Sequence, residues 1–306
     1  MNDKNNYLAH FESFLLTEKR VSNNTFLAYK KDIDQLVDFL KKEKTNLKNC
    51  TNIHLKKLLR VFKNQGLKAK TLSRKISSIK LFFSFLNKRF KVDNKAESLV
   101  FPKLEKTLPS YLTEEEIKRL LDVANEDNSE KGIRNKVMLY LLYASGMRVS
   151  ELINVKIDQI EFDTGFIKME GKGNKERMVP LPKNVLDLLN FYIDFIRKNI
   201  IKKSKNELNS NKNYLFINIY SGELKPITRQ ALWGILKRIL LQAGINKNIS
   251  PHSLRHSLAT HLLKNGANIR SLQLLLGHEQ ISTVQVYTHL ENSQIRKVYD
   301  KKHPRA

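Results

Sequence analysis

Acidic residues are missing from a long part of this sequence. Between Lys44 and Val92 there is neither Asp nor Glu, while Lys and Arg number 14. Cysteine is scarcer still. Cys50 is the only one, which excludes an internal disulfide and cannot by itself build a thiolate metal site. No apolar run approaches the ~18 residues of a membrane span. The longest surrounds VMLYLLYA at 137–144, which reads as a buried helix. The opening MNDKNNYLAHF lacks a basic segment followed by an apolar core, so no signal peptide is expected. A lipidation signal or a basic amphipathic terminal helix is also lacking, which argues against a membrane surface. The expectation is a reducing, cytoplasmic setting.

What is present is positive charge. Lys and Arg total 55 against 30 Asp and Glu, a net charge of +25. Split at residue 110, the first part carries 24 basic and 10 acidic residues, and the rest 31 and 20. A Lys- and Asn-rich genome would raise the total but accounts poorly for an acid-free stretch. A polyanion held through many phosphate contacts accounts for both, and nucleic acid is the expected one.

With 306 residues the chain has length for two domains. Residues 7–43 read as helix interrupted by the capping-type SNNT, and 52–64 and 69–90 repeat the helical pattern, with Leu72, Ile76, Ile79, Phe82, Phe83 and Leu86 in phase. VFPKLEKTLPSYLT (100–113) has two prolines and no sustained period, so a linker falls at 101–112. The expected organisation is a helical domain over 1–100 and a second domain over 113–306, which opens with a Thr113/Glu116 capping box. The second domain is mainly α with one small antiparallel β-meander at 159–182, whose turns lie at Asp163–Gly165 and Gly171–Asn174. Helices resume from about residue 183, broken near 204–213.

Four clusters carry chemistry. ASGMRVSEL (144–152) ends a helix at Gly146 and presents Arg148, with Glu151 three residues on. GKGNKER puts Lys172 on a hairpin tip. SPHSLRHSLATHLLKNG (250–266) opens with Ser250 as N-cap, Pro251 in the first turn, and His252 and Arg255 on one face; Leu254, Leu258, Ala259, Leu262 and Leu263 form its apolar stripe. LLLGHEQISTVQVYTHL (274–290) ends a helix at Gly277, presents His278, and places Tyr287 nine residues later. Singly, each has a plain alternative: a surface ion pair for Arg148 with Glu151, turn filler for Lys172, a core tyrosine for Tyr287. GKGNK lacks the spacing of a phosphate loop. His252 and His256 have zinc-helix spacing, with His261 and His278 as further ligands, but no HExxH glutamate accompanies them and Arg255 would sit beside the metal. No metal is expected.

Together the clusters make one demand. Two arginines and histidines can clamp the charge that develops on a phosphodiester under attack. A tyrosine can attack phosphorus and hold a covalent intermediate, and a lysine on a hairpin can protonate the leaving oxygen.

SGMRVSEL, GKGNKER, HSLRHSLATHLL and LGHEQISTVQVYTH resemble the four signature blocks of the tyrosine recombinases, a phage integrase-like family, and the resemblance runs over residues 1 to 306. The tail IRKVYDKKHPRA is similar to the ending of the Xer subgroup, which resolves chromosome dimers. Met147 and Leu258 depart from the leucine and phenylalanine of many members, apolar exchanges that leave the chemistry intact. The resemblance implies a SAM-like helical core-binding domain and a mixed α/β catalytic domain that clamp double-stranded DNA. It implies Tyr287 as nucleophile, Arg148 and Arg255 as phosphate-binding arginines, Lys172 as general acid, His252 in proton transfer, His278 on a phosphate oxygen, and Glu151 as support for Arg148. No cofactor is implied. Expected partners are the protein itself or a paralogue, four protomers on two sites, with segment 291–306 docking on a neighbour, and a DNA translocase as regulator. Resolution of dimers at a dif-like site is the leading function. A mobile-element integrase with the same chemistry and a non-catalytic DNA-binding protein are the alternatives.

Overall fold

In the computed structural model the described residues are 3–103, 110–170, 176–205, 210–277, 299–300 and 302–304. The chain divides into two compact units, Met1–Thr107 and Leu108–Ala306.

Among the described residues the first unit has four helices, α1 (Asp3–Thr17), α2 (Asn23–Lys42), α3 (Asn52–Asn64) and α4 (Ala69–Phe90). Ser22 caps α2, accepting from the Thr25 N–H at 3.3 Å. The in-phase residues of α4 form the core, where Ile76, Ile79, Phe82, Phe83 and Leu86 meet Phe11, Leu15 and Leu36. Each such buried side chain contributes about 1.5–3 kcal/mol. One buried carboxylate crosses this core. Asp32 on α2 accepts from Lys75 Nζ at 2.8 Å and Ser78 Oγ at 3.0 Å, and also from Arg74, all on α4. Lys75 Nζ also lies 4.5 Å from the centre of the Phe62 ring on α3.

The second unit is built around α6 (Glu130–Ser145), whose residues 137–144 are buried but for Tyr140. Before it, α5 (Glu114–Glu126) opens with the Thr113/Glu116 box: Glu116 N–H donates to Thr113 Oγ1 at 3.2 Å and Thr113 N–H to Glu116 Oε2 at 2.8 Å. The short α7 (Val149–Asn154) follows, then an antiparallel sheet of β1 (Ile160–Glu161), β2 (Phe166–Glu170) and β3 (Glu176–Pro180), in that order. Its register pairs Ile167 with Val179 and Glu170 with Glu176, the last pair before residues 171–175, which lie outside the described residues. Then α8 (Lys183–Phe191) runs through one π-helical segment, Tyr192–Arg197, into α9 (Lys198–Lys202).

A second sheet, which the sequence pattern does not predict, follows: β4 (Ile217–Tyr220) pairs antiparallel with β5 (Glu223–Pro226). Its two-residue turn places Ser221 at φ 53° and Gly222 at φ 83°, the left-handed pair that suits the strand twist of a tight hairpin. Among the described residues three longer helices follow: α10 (Arg229–Gln242), α11 (Pro251–Lys264) and α12 (Ile269–Leu276). The apolar phase of α11 differs from the expected stripe by one position. Leu263 is 42% exposed, whereas His261 is buried and shares a 2.9 Å hydrogen bond through Nδ1 with the Tyr143 hydroxyl.

Tyr299 and His303, from the tail that the resemblance assigns to a neighbouring protomer, are buried in their own unit. The Tyr299 hydroxyl donates to Ala144 O at 2.9 Å, and its ring stacks on His303 at 4.6 Å. Among the described residues no helix is long and apolar enough to cross a membrane.

Candidate active site

The site begins where α6 stops. Gly146 adopts φ 58°, a left-handed cap that L side chains disfavour, and the turn sends Arg148 to the N-terminus of α7. One turn later Glu151 reaches back. Its Oε2 accepts from the Arg148 backbone N–H at 2.6 Å and its Oε1 from Arg148 Nη1 at 2.8 Å. The carboxylate is nearly buried, while the Arg148 side chain is 40% exposed and so can meet a ligand.

Arg255 arrives from the first turns of α11, which Ser250 caps and Pro251 opens. It is buried, yet among the described residues no carboxylate pairs with it. Its guanidinium donates instead to backbone carbonyls, Nη1 to Gly146 O at 2.7 Å and Nη2 to Leu276 O. Burial first, and then the charges of Arg148 and Arg177, pull its pKa down to about 10, Glu151 acting the other way. A cation held in this state gains from any anion that enters.

Arg177 was not among the residues expected from the sequence. It stands on β3, only 4% exposed, and makes a two-pronged contact with Glu151: Nη1 to Oε1 at 3.0 Å and Nη2 to Oε2 at 2.9 Å. The signal was available in the strand alternation, since Arg177 shares the inward phase of Val179. Burial raises the pKa of Glu151, but hydrogen bonding and charge from Arg177, then the Arg148 contacts, more than offset it, and the carboxyl stays below its ordinary value.

The end of α12 completes the arrangement. Three successive carbonyls there each take an arginine: Leu275 O accepts from Arg177 Nε at 3.2 Å, Leu276 O from Arg255, and Gly277 O from Arg148 Nη2 at 3.4 Å. Helix C-terminal carbonyls carry partial negative charge, which explains how guanidiniums that repel one another are held together. His252 lies one turn before Arg255 with its side chain reaching solvent. Partial burial of the ring, followed by the charges of Arg255, Arg148 and His256, lowers its pKa and so favours the neutral imidazole.

The structure thus unites Arg148, Glu151, Arg255 and His252. Lys172, His278 and Tyr287 lie outside the described residues; in the chain Lys172 falls between β2 and β3 and His278 directly follows Gly277. Among the described residues no group of three His, Cys, Asp or Glu is placed to hold a metal ion, and His261 is taken into the core beside Tyr143. Three guanidiniums against one carboxylate leave a surplus of positive charge with N–H donors to spare, an arrangement suited to an oxyanion.

Comparison with known proteins now bears on the whole chain. The profile of the Phage integrase family matches residues 110–294, and that of the phage integrase N-terminal SAM-like domain matches residues 8–89. The chain belongs to the phage integrase family. Tyrosine recombinase XerD of Staphylococcus saprophyticus is 40% identical over 301 residues, 98% of this chain and 99% of the relative. Tyrosine recombinase XerD of Staphylococcus aureus is 40% identical over 295 residues, 96% of this chain and 97% of the relative. Within the phage integrase family the chain is therefore a tyrosine recombinase, a site-specific recombinase enzyme of the Xer subgroup. The fold agrees with that of XerH site-specific recombinase bound to difH substrate, at TM-score 0.68 and 23% identity over 90% of this chain and 76% of that one. A lambda integrase(75–356) dimer bound to a COC′ core site gives TM-score 0.65 and 17% identity over 92% of this chain and 98% of that one. The second unit is the catalytic domain of this family, and the first its SAM-like domain.

Proposed function

We propose that this recombinase cuts and rejoins double-stranded DNA at a dif-like site to resolve chromosome dimers, with Tyr287 as its nucleophile. The observation that carries the reading is the convergence of Arg148 and Arg255 on the end of α12, cationic beyond what Glu151 neutralises. The XerD relatives, similar over nearly the full chain, support the Xer role over integration of a mobile element. DNA as the partner is supported by the recombination site bound to XerH and by the net charge of +25.

The chemistry follows from the charges. Arg148 and Arg255 hold the non-bridging oxygens of the scissile phosphate, and His278 adds a contact. Each such donor lowers the barrier by about 3 kcal/mol because the charge it meets grows in the transition state. The Tyr287 oxygen attacks phosphorus and His252 assists removal of its proton. The bond to the 5′ oxygen breaks, Lys172 supplies that oxygen with a proton, and a 3′-phosphotyrosyl link remains. The 5′ hydroxyl of the partner duplex then attacks the link and restores Tyr287. Bond energy is conserved, so strand exchange consumes no nucleotide. Four protomers, this chain alone or with a paralogue, act on two sites in the cytoplasm, under the control of a DNA translocase.

The test is a nicked suicide substrate whose cleaved 5′ fragment diffuses away. The wild type should accumulate a denaturant-resistant protein–DNA adduct, unchanged by a chelator. Tyr287→Phe should bind the same DNA and form none. An adduct in that variant would refute the assignment of the nucleophile.

A further inference from the structure

Arg148 and Arg255 account for contact with a phosphate, but a third arginine is buried beside them where a strand would ordinarily place an apolar side chain. Arg177 is 4% exposed, on the same face of β3 as Val179. Burying a guanidinium is costly unless every direction of the fork is used. Here it is: both oxygens of Glu151 are engaged, at 3.0 and 2.9 Å, and Nε reaches Leu275 O at 3.2 Å. The same two carboxylate oxygens hold Arg148, through Nη1 at 2.8 Å and the backbone N–H at 2.6 Å. Glu151 is therefore shared between an outer arginine that can reach a ligand and an inner one that cannot.

We propose that Arg177 is a positioning residue for DNA cleavage, acting through Glu151 to aim Arg148 and to keep its charge available to the scissile phosphate. The inference rests on the reading of Arg148 as a phosphate contact. Two physical consequences separate it from a purely structural ion pair. With Arg177 removed, Glu151 and Arg148 form a closed neutral pair, and the pull of Arg148 on an incoming phosphate is cancelled at its source. The carboxylate is also released from one of its two orienting forks, so the Arg148 guanidinium loses its fixed direction. In addition, Arg177 Nε ties the base of the β2–β3 hairpin to the end of α12, and Gly277 leaves room for this, since a Cβ there would lie 3.1 Å from Arg177 Cδ.

The experiment is single-turnover cleavage of the suicide substrate by the full chain carrying Arg177→Met, Arg177→Lys, Arg148→Ala or the double change Arg148→Ala/Arg177→Met. Misplacing a reacting contact by ~1 Å costs ~100-fold, so Arg177→Met should slow adduct formation by about that factor while half-site affinity changes little. Arg177→Lys keeps the charge and should recover part of the rate. The double variant should be no slower than Arg148→Ala alone, because the inner arginine works through the outer one. On DNA with a neutral methylphosphonate at the scissile position, which lacks the charge that Arg148 meets, the Arg177 defect should largely vanish. Should Arg177→Met fail to fold, Arg177→Lys on the two substrates carries the same comparison. Equal slowing on both substrates, or additive slowing in the double variant, would overturn the inference and leave a structural ion pair. A wild type that forms no adduct would instead overturn the reading of the site itself.

Discussion

Arg255 Nη1 lies 2.7 Å from the carbonyl of Gly146, a residue 109 positions earlier in the chain. That bond makes the end of α6 and the start of α11 one structural unit. The same guanidinium holds Leu276 O at the end of α12, so a single side chain fixes three segments while keeping N–H groups for a ligand. Lysine's ammonium is a compact point charge without the broad planar fork that spans two carbonyls and a ligand. Arg255→Lys should therefore slow adduct formation by roughly 100-fold, the scale of losing one oxyanion donor, with little change in DNA affinity. Single-turnover cleavage together with a binding titration checks this, and a variant that cleaves at the wild-type rate would contradict it.

Lys172 is assigned the proton for the leaving 5′ oxygen. A 5′-bridging phosphorothiolate leaves as a thiolate and needs no proton. Lys172→Ala should be slow on the ordinary substrate and near the wild-type rate on the sulfur one. Equal slowing on both would remove the general-acid role.

How these residues came to be visible, or not, has a physical pattern. Where a signal is local, the sequence carried it: Thr113 with Glu116, Ser250 with Pro251, the helical phase of 52–64 and 69–90, and the meander of β1 to β3 all rest on neighbours within a few residues. The β4–β5 hairpin was missed because four-residue strands are too short to show a period, and only Ser221–Gly222 marks the turn. The stripe of α11 was misread at Leu263 because a distant hydroxyl, that of Tyr143, makes His261 the better residue to bury. Arg148 and Arg255 could be named as a pair from motif chemistry. The alternation of β3 marks Arg177 as inward-facing, but its role depends on a carboxylate 26 residues earlier and a carbonyl 98 residues later.

The imidazole of His252 sets a pH dependence whose sign can be worked out. Its folded pKa lies below 6.5 through partial burial and then the influence of neighbouring Arg255, Arg148 and His256. As pH falls through 6.5 the unfolded chain takes up this proton first, so the folded state loses stability on the acid side. A bound phosphodiester has the opposite effect, raising the pKa, so DNA binding draws in a proton. Half-site affinity should rise as pH drops below 6.5, and more steeply in the wild type than in His252→Asn. Identical slopes for the two proteins would exclude the effect.

In the first unit, Asp32 is the only acid shown between the buried Lys75 and Ser78. Asp32→Ala strands the Lys75 ammonium in the core and should cost roughly 3 kcal/mol, about a hundredfold in amide exchange protection across α2 and α4. Replacing both partners, Asp32→Leu with Lys75→Met, should restore most of it. Exchange measured by mass spectrometry on the full chain reads both variants, and unchanged protection in Asp32→Ala would show that the buried pair does not stabilise this unit.

A helix ordinarily presents a faintly negative pole at its last turn and turns phosphate away. At α12, guanidiniums on Leu275, Leu276 and Gly277 reverse that polarity before any nucleic acid arrives. A terminus that would repel the substrate becomes an anchorage for the groups that attract it.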